Sequence, residues 1–199
     1  MKLKYITRIL WAAVAISGIG LLALTIMKPY LFPDKVIFQS AITADFELTD
    51  QNGQILRDED FADQWMLVFF GYTNCPDVCP TTIAEMAAVM DGLGDKQSMV
   101  QPIMITIDPE RDTPGVLAEY LGFFSPGFVG LTGSPEQIAA TSKTFQIFYA
   151  KETEPDAPDG YGMAHTSHIY LFGPDGKYIR FYRYGTTAEA ILKDLSNRI

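Results

Sequence analysis

Six apolar residues in a row, Trp65-Met-Leu-Val-Phe-Phe70, run directly into Gly71-Tyr-Thr-Asn-Cys-Pro-Asp-Val-Cys-Pro80, and a helical pattern follows. An unbroken apolar run of this length suits a strand covered on both faces, as at the centre of an α/β sheet. From Pro80 onward Ile83, Met86, Ala87, Met90 and Leu93 keep helical spacing, which stops at Gly94. Proline biases the residue before it away from the α region. Cys75 and Cys79 are therefore expected outside the helix, with Cys79 as its N-cap and Pro80 at the first helical position. The partial positive charge of a helix N-terminus favours thiolate and should lower the pKa of at least one cysteine. A strand, a loop and a helix thus present two soft, ionisable sulfurs together.

The remaining pattern builds a sheet around that strand. Residues 45–50 alternate as a half-buried strand does, Gln51-Asn-Gly53 signals a hairpin, and residues 55–61 return. Residues 102–107 read as a second buried strand ending at Asp108-Pro-Glu-Arg-Asp112. Thr113-Pro114 then opens a helix to about position 124, and residues 128–131 form a short strand. Ser134-Pro-Glu-Gln137 has the form of a capping box and starts a helix running to about position 148. Residues 151–162 are polar, hold Pro155, Pro158, Gly160 and Gly162, and read as a long loop. A hairpin over 169–172 and 178–184, turning at Pro174-Asp-Gly176, and a helix over 187–197 close the chain. Strands alternating with helices imply right-handed parallel crossovers, and the last hairpin adds antiparallel strands. The expected fold is α/β: a mixed central sheet with helices on both faces, which resembles the thioredoxin-like fold. The cysteines then lie beyond the carboxyl end of a central strand, where open α/β sheets place their sites.

The N-terminus reads differently. Residues 1–8 carry Lys2, Lys4 and Arg8 and no acid, and residues 9–27 run without a charge. About 20 apolar residues span a bilayer, and a basic flank stays on the cytoplasmic side. No small-residue cleavage site follows. Residues 1–28 are thus expected to be a cytoplasmic tail and an uncleaved transmembrane helix, residues 29–42 a tether, and residues 43–199 one domain outside the cytoplasm. Four of the fifteen Lys and Arg precede the first acid, Asp34, which leaves 11 bases against 24 acids and a net charge of −13. Nucleic acid is a poor partner for such a surface. Two cysteines in an exported domain usually form a structural disulfide, but closing so short a loop removes little chain entropy. Such a pair is there for its chemistry.

The two histidines, His165 and His168, follow the polar stretch. In an extended strand residues three apart point to opposite faces, so they do not hold one ion together. His165, in the loop before the strand, can reach the cysteine loop. Two thiolates and an imidazole form a soft, three-ligand set that suits Cu(I) or zinc. A structural zinc site takes a fourth protein ligand, and no further Cys or His exists. An open three-coordinate site favours copper that is handed on, and on chemistry alone zinc stays open. Of the methionines, Met86, Met90, Met99 and Met104 mostly fall on core positions, and Met163 lies near the site.

Three motifs in order carry a resemblance that spans about residues 43–197. Gly71-Tyr-Thr-Asn-Cys-Pro-Asp-Val-Cys-Pro-Thr-Thr82, Ile105-Thr-Ile-Asp-Pro-Glu-Arg-Asp-Thr-Pro114 and His165-Thr-Ser-His-Ile-Tyr-Leu171, the last followed by Gly173-Pro-Asp-Gly176, resemble the motifs of the Sco/SenC family of copper proteins. The resemblance implies a membrane-anchored, thioredoxin-like copper chaperone that serves the CuA site of cytochrome c oxidase. Its partners would be the oxidase subunit carrying that site and a second copper chaperone as donor. Cys75, Cys79 and His165 match the family's copper ligands. His168 falls where the family usually has an apolar residue, and Ala164 stands where the family commonly has Asp, so an orienting carboxylate is missing there. Asp108 and Asp112 are candidates to support the site. The alternative role is a thiol–disulfide oxidoreductase in which Cys75 and Cys79 are the redox pair and reduce the cysteines of the copper acceptor. A peroxidase fits less well: Val78-Cys-Pro-Thr81 echoes the peroxiredoxin loop, but Pro76 stands where those enzymes place Thr.

Overall fold

The structure is a computed structural model, and it describes Trp11 and residues 42–124, 127–155, 157 and 159–199. The expected transmembrane helix and tether lie outside the described residues, apart from Trp11, which is helical and exposed, and Ile42. Among the described residues no helix is long and apolar enough to cross a membrane.

Seven strands make the main sheet. In chain order they are β1 (Glu47–Asp50), β2 (Ile55–Arg57), β3 (Trp65–Gly71), β4 (Val100–Thr106), β5 (Val129–Thr132), β8 (His168–Phe172) and β9 (Tyr178–Arg183). Two more, β6 (Tyr149–Thr153) and β7 (Tyr161–His165), pair only with each other. The helices are α1 (Val78–Leu93), α2 (Pro114–Gly122), α3 (Pro135–Thr144) and α4 (Ala188–Ser196). The sheet order is β2-β1-β5-β4-β3-β8-β9. β3, β4 and β5 are parallel, and β8, β9, β1 and β2 join antiparallel. This is the expected mixed sheet.

Alternation along β3 sorts the layers. Phe69 and Gly71 point to one face, where an atom added at Gly71 would meet Cys79 of α1. Met104 is Phe69's partner in register and Gly130 is Met104's, so Gly130 lies on the same face, under Leu117 and Leu121 of α2. α4 packs against α1, with Leu192 over Gly92. Phe70 points the other way and meets Phe145, just past α3, edge-on at 5.0 Å. Phe46, Tyr170 and Phe172 join it there. Fully burying one such ring contributes about 1.5–3 kcal/mol. Helices therefore cover both faces, and Leu67, Val68, Phe69 and Phe70 are all fully buried, as an unbroken apolar run requires.

Four local expectations are corrected. Residues 55–61 are strand only to Arg57, and a 3-10 turn takes over at Asp58–Phe61. α3 stops at Thr144, short of position 148, because Gln146 adopts the left-handed conformation at φ 56°. Of the expected loop over 151–162, residues 151–153 and 161–162 are strand, belonging to β6 and β7, and the stretch between joins them as a hairpin. And α1 starts two residues earlier than the proline rule suggests: Asp77 is the N-cap, and Cys79 sits inside the first turn. The first N–H groups of a helix have no partner within it, so Pro80 in that turn removes no hydrogen bond.

Candidate metal centre

Parallel neighbours put their carboxyl ends side by side. The loop after β3 carries the cysteines, the loop after β4 carries Asp108 and Asp112, and Ile107 N–H donates to Gly71 O at 2.9 Å to join them. Gly71 is needed where it stands, since a Cβ there would come within 2.5 Å of the Phe69 ring and 3.0 Å of Cys79 Sγ. That clearance lets Cys79 lie fully buried against the strand end, while Cys75 is half-buried in the loop. Cys75 N–H donates to Tyr72 O at 3.3 Å, closing the turn. Both thiols are free, and Cys79 N–H points at Cys75 Sγ at 3.4 Å. The helix N-terminus therefore donates to sulfur.

His165 is the last residue of β7, opposite Tyr149, not in a loop. Its ring meets Phe69 and Tyr72 edge-on at 6.2 and 6.0 Å. Nδ1 lies 3.1 Å from Thr166 O, and a carbonyl only accepts, so Nδ1 carries a proton and donates it. Nε2 is the nitrogen turned to the sulfurs, 3.7 Å from Cys79 Sγ. Two ligands bound at about 2.0–2.3 Å with an angle between tetrahedral and trigonal stand about 3.5–3.8 Å apart. The Cys79–His165 pair thus already has the spacing of two ligands on one metal. Among the described residues no three Cys, His, Asp or Glu groups stand as a metal cluster, and the half-buried Cys75 lies beside the pair, its Sγ 3.4 Å from Cys79 N. The carbonyl of Thr166 also orients the imidazole.

The two sulfurs divide one proton unequally. A hydrogen bond from Cys79, with the backbone N–H groups of Asp77 and Cys79, outweighs burial and lowers the Cys75 thiol to about 3. Its hydrogen bond to Cys75, burial and the nearby Cys75 charge push the Cys79 thiol up. Cys75 therefore carries the thiolate and Cys79 keeps the proton. In the metal-free, reduced protein, alkylation of Cys75 should therefore be nearly as fast at pH 5 as at pH 8, where an ordinary thiol, with a pKa of about 8.5, loses roughly tenfold per pH unit. Mass mapping at both pH values reads this directly, and a tenfold-per-unit decline at Cys75 would contradict it.

Asp108 and Asp112 do not touch the cysteines; they hold the two pieces that carry the site. Asp112, fully buried, accepts from Thr73 N at 3.1 Å, Thr73 Oγ1 at 2.6 Å and Thr106 Oγ1 at 2.5 Å. It thereby fixes the residue two before Cys75. Desolvation raises its pKa, against those three bonds. Asp108 pairs with Arg111 and accepts from Tyr161 Oη at 3.2 Å, which ties the same turn to the His165 hairpin. The sequence marked both acids but not Arg111, Tyr161 or Tyr72, whose hydroxyl accepts from Met163 N at 3.4 Å. The one available signal is an aromatic, Tyr161, four residues before the histidine along an alternating strand.

Of the other residues considered, His168 is separate: it stacks on Phe181 at 4.4 Å and 23°. Met86, Met90 and Met104 are buried in the core, and Met99 is exposed. Met163 is half-buried against the core and lines a cavity of about 160 Å³ with Asp108 and Tyr149.

The family described as SCO1/SenC matches residues 34–199. A SCO2-like protein of Rickettsia felis is 40% identical over 154 residues, covering 77% of this chain and 75% of its own. The solved structure of Bradyrhizobium japonicum ScoI with copper bound superposes at a TM-score of 0.73 with 38% identity, covering 80% of this chain and all of that one. BsSco, described as having a disulfide switch and as a member of the Sco family of cytochrome c oxidase assembly proteins, superposes at 0.62 with 27% identity over 78% of this chain and 92% of its own.

Proposed function

The chain belongs to the SCO1/SenC family, and on that premise we propose that it is a membrane-anchored copper chaperone whose Cys75, Cys79 and His165 bind one copper ion and deliver it to the CuA site of cytochrome c oxidase. The observation that carries this reading is the juxtaposition of His165 Nε2 and Cys79 Sγ at 3.7 Å, with the Cys75 thiolate beside them. Two thiolates suit Cu(I), and the added imidazole makes the set serviceable for Cu(II) as well. Copper here is cargo. A buried Cys79 holds it from below, while the half-buried Cys75 lies where an incoming acceptor ligand can replace it.

The B. japonicum relative binds copper and BsSco belongs to an oxidase-assembly family, which supports the same cargo and destination for this chain. The uncharged run over 9–27, with its basic flank, supports an anchor with a cytoplasmic N-terminus and the domain on the opposite, periplasm-like side. A second chaperone as donor fits an ion held by thiolates, which passes best by ligand exchange.

One observation favours a second reading. A Cys75 thiolate hydrogen-bonded by Cys79 is the arrangement of a dithiol reductant. Cys75 would attack a disulfide of the acceptor, and Cys79 would resolve the mixed disulfide. The acceptor's disulfide then becomes two thiols as Cys75 and Cys79 become a disulfide. Mixing the copper-loaded full chain with the copper-free, reduced CuA-bearing subunit separates the two. Delivery is expected to move one copper per chain to the acceptor. Copper that stays put, with oxidised acceptor reduced by the metal-free chain, would establish the reductase in its place.

A further inference from the structure

We infer that Arg111 and Tyr161 are positioning residues: they set where His165 stands over the cysteine pair without touching a metal themselves. The inference rests on the copper reading above. β6 and β7 form their own two-stranded sheet, with no ladder to the seven-stranded one. The third ligand therefore rides on a hairpin that joins the main sheet through the chain, from His165 to His168, and through side chains. Five paired positions, from Tyr149–His165 to Thr153–Tyr161, make that hairpin a stiff unit. Tyr161, Met163 and His165 share one face of β7, because strand side chains alternate.

The unit is fastened at the Met163 N–H bond to the Tyr72 hydroxyl, 3.4 Å long, and at Tyr161. Arg111 lies over its ring at 3.8 Å and Lys151 at 3.7 Å from the ring centre. Its hydroxyl donates to Asp108, and its carbonyl accepts from Arg111 Nη1 at 3.4 Å. Arg111 also reaches Asp159 at 3.5 Å, and Lys151 pairs with Glu110 at 3.0 Å. Arg111 is itself held by the buried Asp108, in the turn whose Asp112 fixes Thr73 and hence the cysteine loop. One turn thus references both halves of the site to each other. A guanidinium stacked on an aromatic face is not replaceable by a lone ammonium.

The two oxidation states read the consequence differently. Two thiolates alone satisfy Cu(I), whereas Cu(II) prefers nitrogen and more ligands. A loosened hairpin should therefore weaken Cu(II) binding and leave Cu(I) binding nearly intact.

The test titrates Cu(I) and Cu(II) into the full chain, wild type and variants, with electron paramagnetic resonance on the Cu(II) forms. Tyr161→Leu is the main variant, because it lies on the hairpin and leaves the Arg111–Asp108 pair in place. Arg111→Gln is the second, and Tyr161→Phe, which keeps the ring under both cations, is the conservative rescue. Tyr161→Leu is expected to raise the Cu(II) Kd about tenfold and reduce the nitrogen coupling, with the Cu(I) Kd moving less than about threefold and Tyr161→Phe staying near wild type. Unchanged Cu(II) affinity and spectrum in both Tyr161→Leu and Arg111→Gln would overturn the inference and leave the copper reading standing. Equal losses for both oxidation states, tracking a lower Tm, would also overturn it. Wild type whose Cu(II) binding is indifferent to His165→Ala would overturn the copper reading and this inference with it.

Discussion

Cys79→Ala should lower copper affinity at least about a thousand-fold, equivalent to about 4 kcal/mol. Cys79 is fully buried at the end of β3, so no solvent ligand reaches its place without rearrangement. The same substitution has a second readout. The hydrogen bond from Cys79 is the largest influence lowering the Cys75 thiol to about 3, so without it the Cys75 pKa should climb back toward the ordinary thiol range. Alkylation of Cys75 at pH 5 should then slow sharply. Thermal unfolding should change little, because a sulfur replaced by hydrogen leaves only a small void. A variant that keeps tight copper binding with an unfolding temperature like wild type would show that the buried sulfur is not a ligand.

Asp112→Ala should have the largest effect on stability. Its carboxylate receives three hydrogen bonds, from the Thr73 N–H, the Thr73 hydroxyl and the Thr106 hydroxyl. Truncation leaves those donors without a partner in a buried place, at about 1–3 kcal/mol for each group so stranded. Allowing for water entering the gap, a total of about 2–4 kcal/mol is reasonable, which lowers Tm by roughly 5–15 °C for a domain of this size. Asp112→Asn keeps an acceptor for Thr73 and should lose about half as much. Calorimetry with copper titration separates fold from site: Asp112→Asn should stay folded at 25 °C and bind copper more weakly, because Thr73 is two residues from Cys75. An Asp112→Ala chain that unfolds like wild type would remove Asp112 from the account.

The strand, loop and helix around the cysteines were legible because each uses a strong local signal. An unbroken apolar run marks a central strand, and helical spacing with a terminal glycine marks α1. The prolines mislead by two residues at Cys79, where the first turn of a helix tolerates what its interior does not. The hairpin of β6 and β7 was not legible. Lys151, Glu152 and Thr153 are exposed, so no apolar alternation shows which side faces in. Its order comes from pairing with β7 and from the cations around Tyr161, contacts made across the fold. His165 was found by its chemistry, yet placed in a loop for the same reason. The roles of Asp108 and Asp112 were equally hidden: a turn after a buried strand looks like any acidic turn until the neighbouring loop is brought beside it. His168 shows the converse. Alternation along the strand already separates it from His165 in the sequence, and the structure stacks it on Phe181.

The most direct test of the central claim is X-ray absorption at the copper edge of the singly loaded full chain, wild type and His165→Ala. Two sulfur scatterers at about 2.3 Å and one nitrogen at about 2.0 Å are expected for wild type, and His165→Ala should keep the sulfurs and lose the imidazole shells. Spectra that show one sulfur or none, or imidazole scattering unaltered by His165→Ala, would contradict a site made of Cys75, Cys79 and His165.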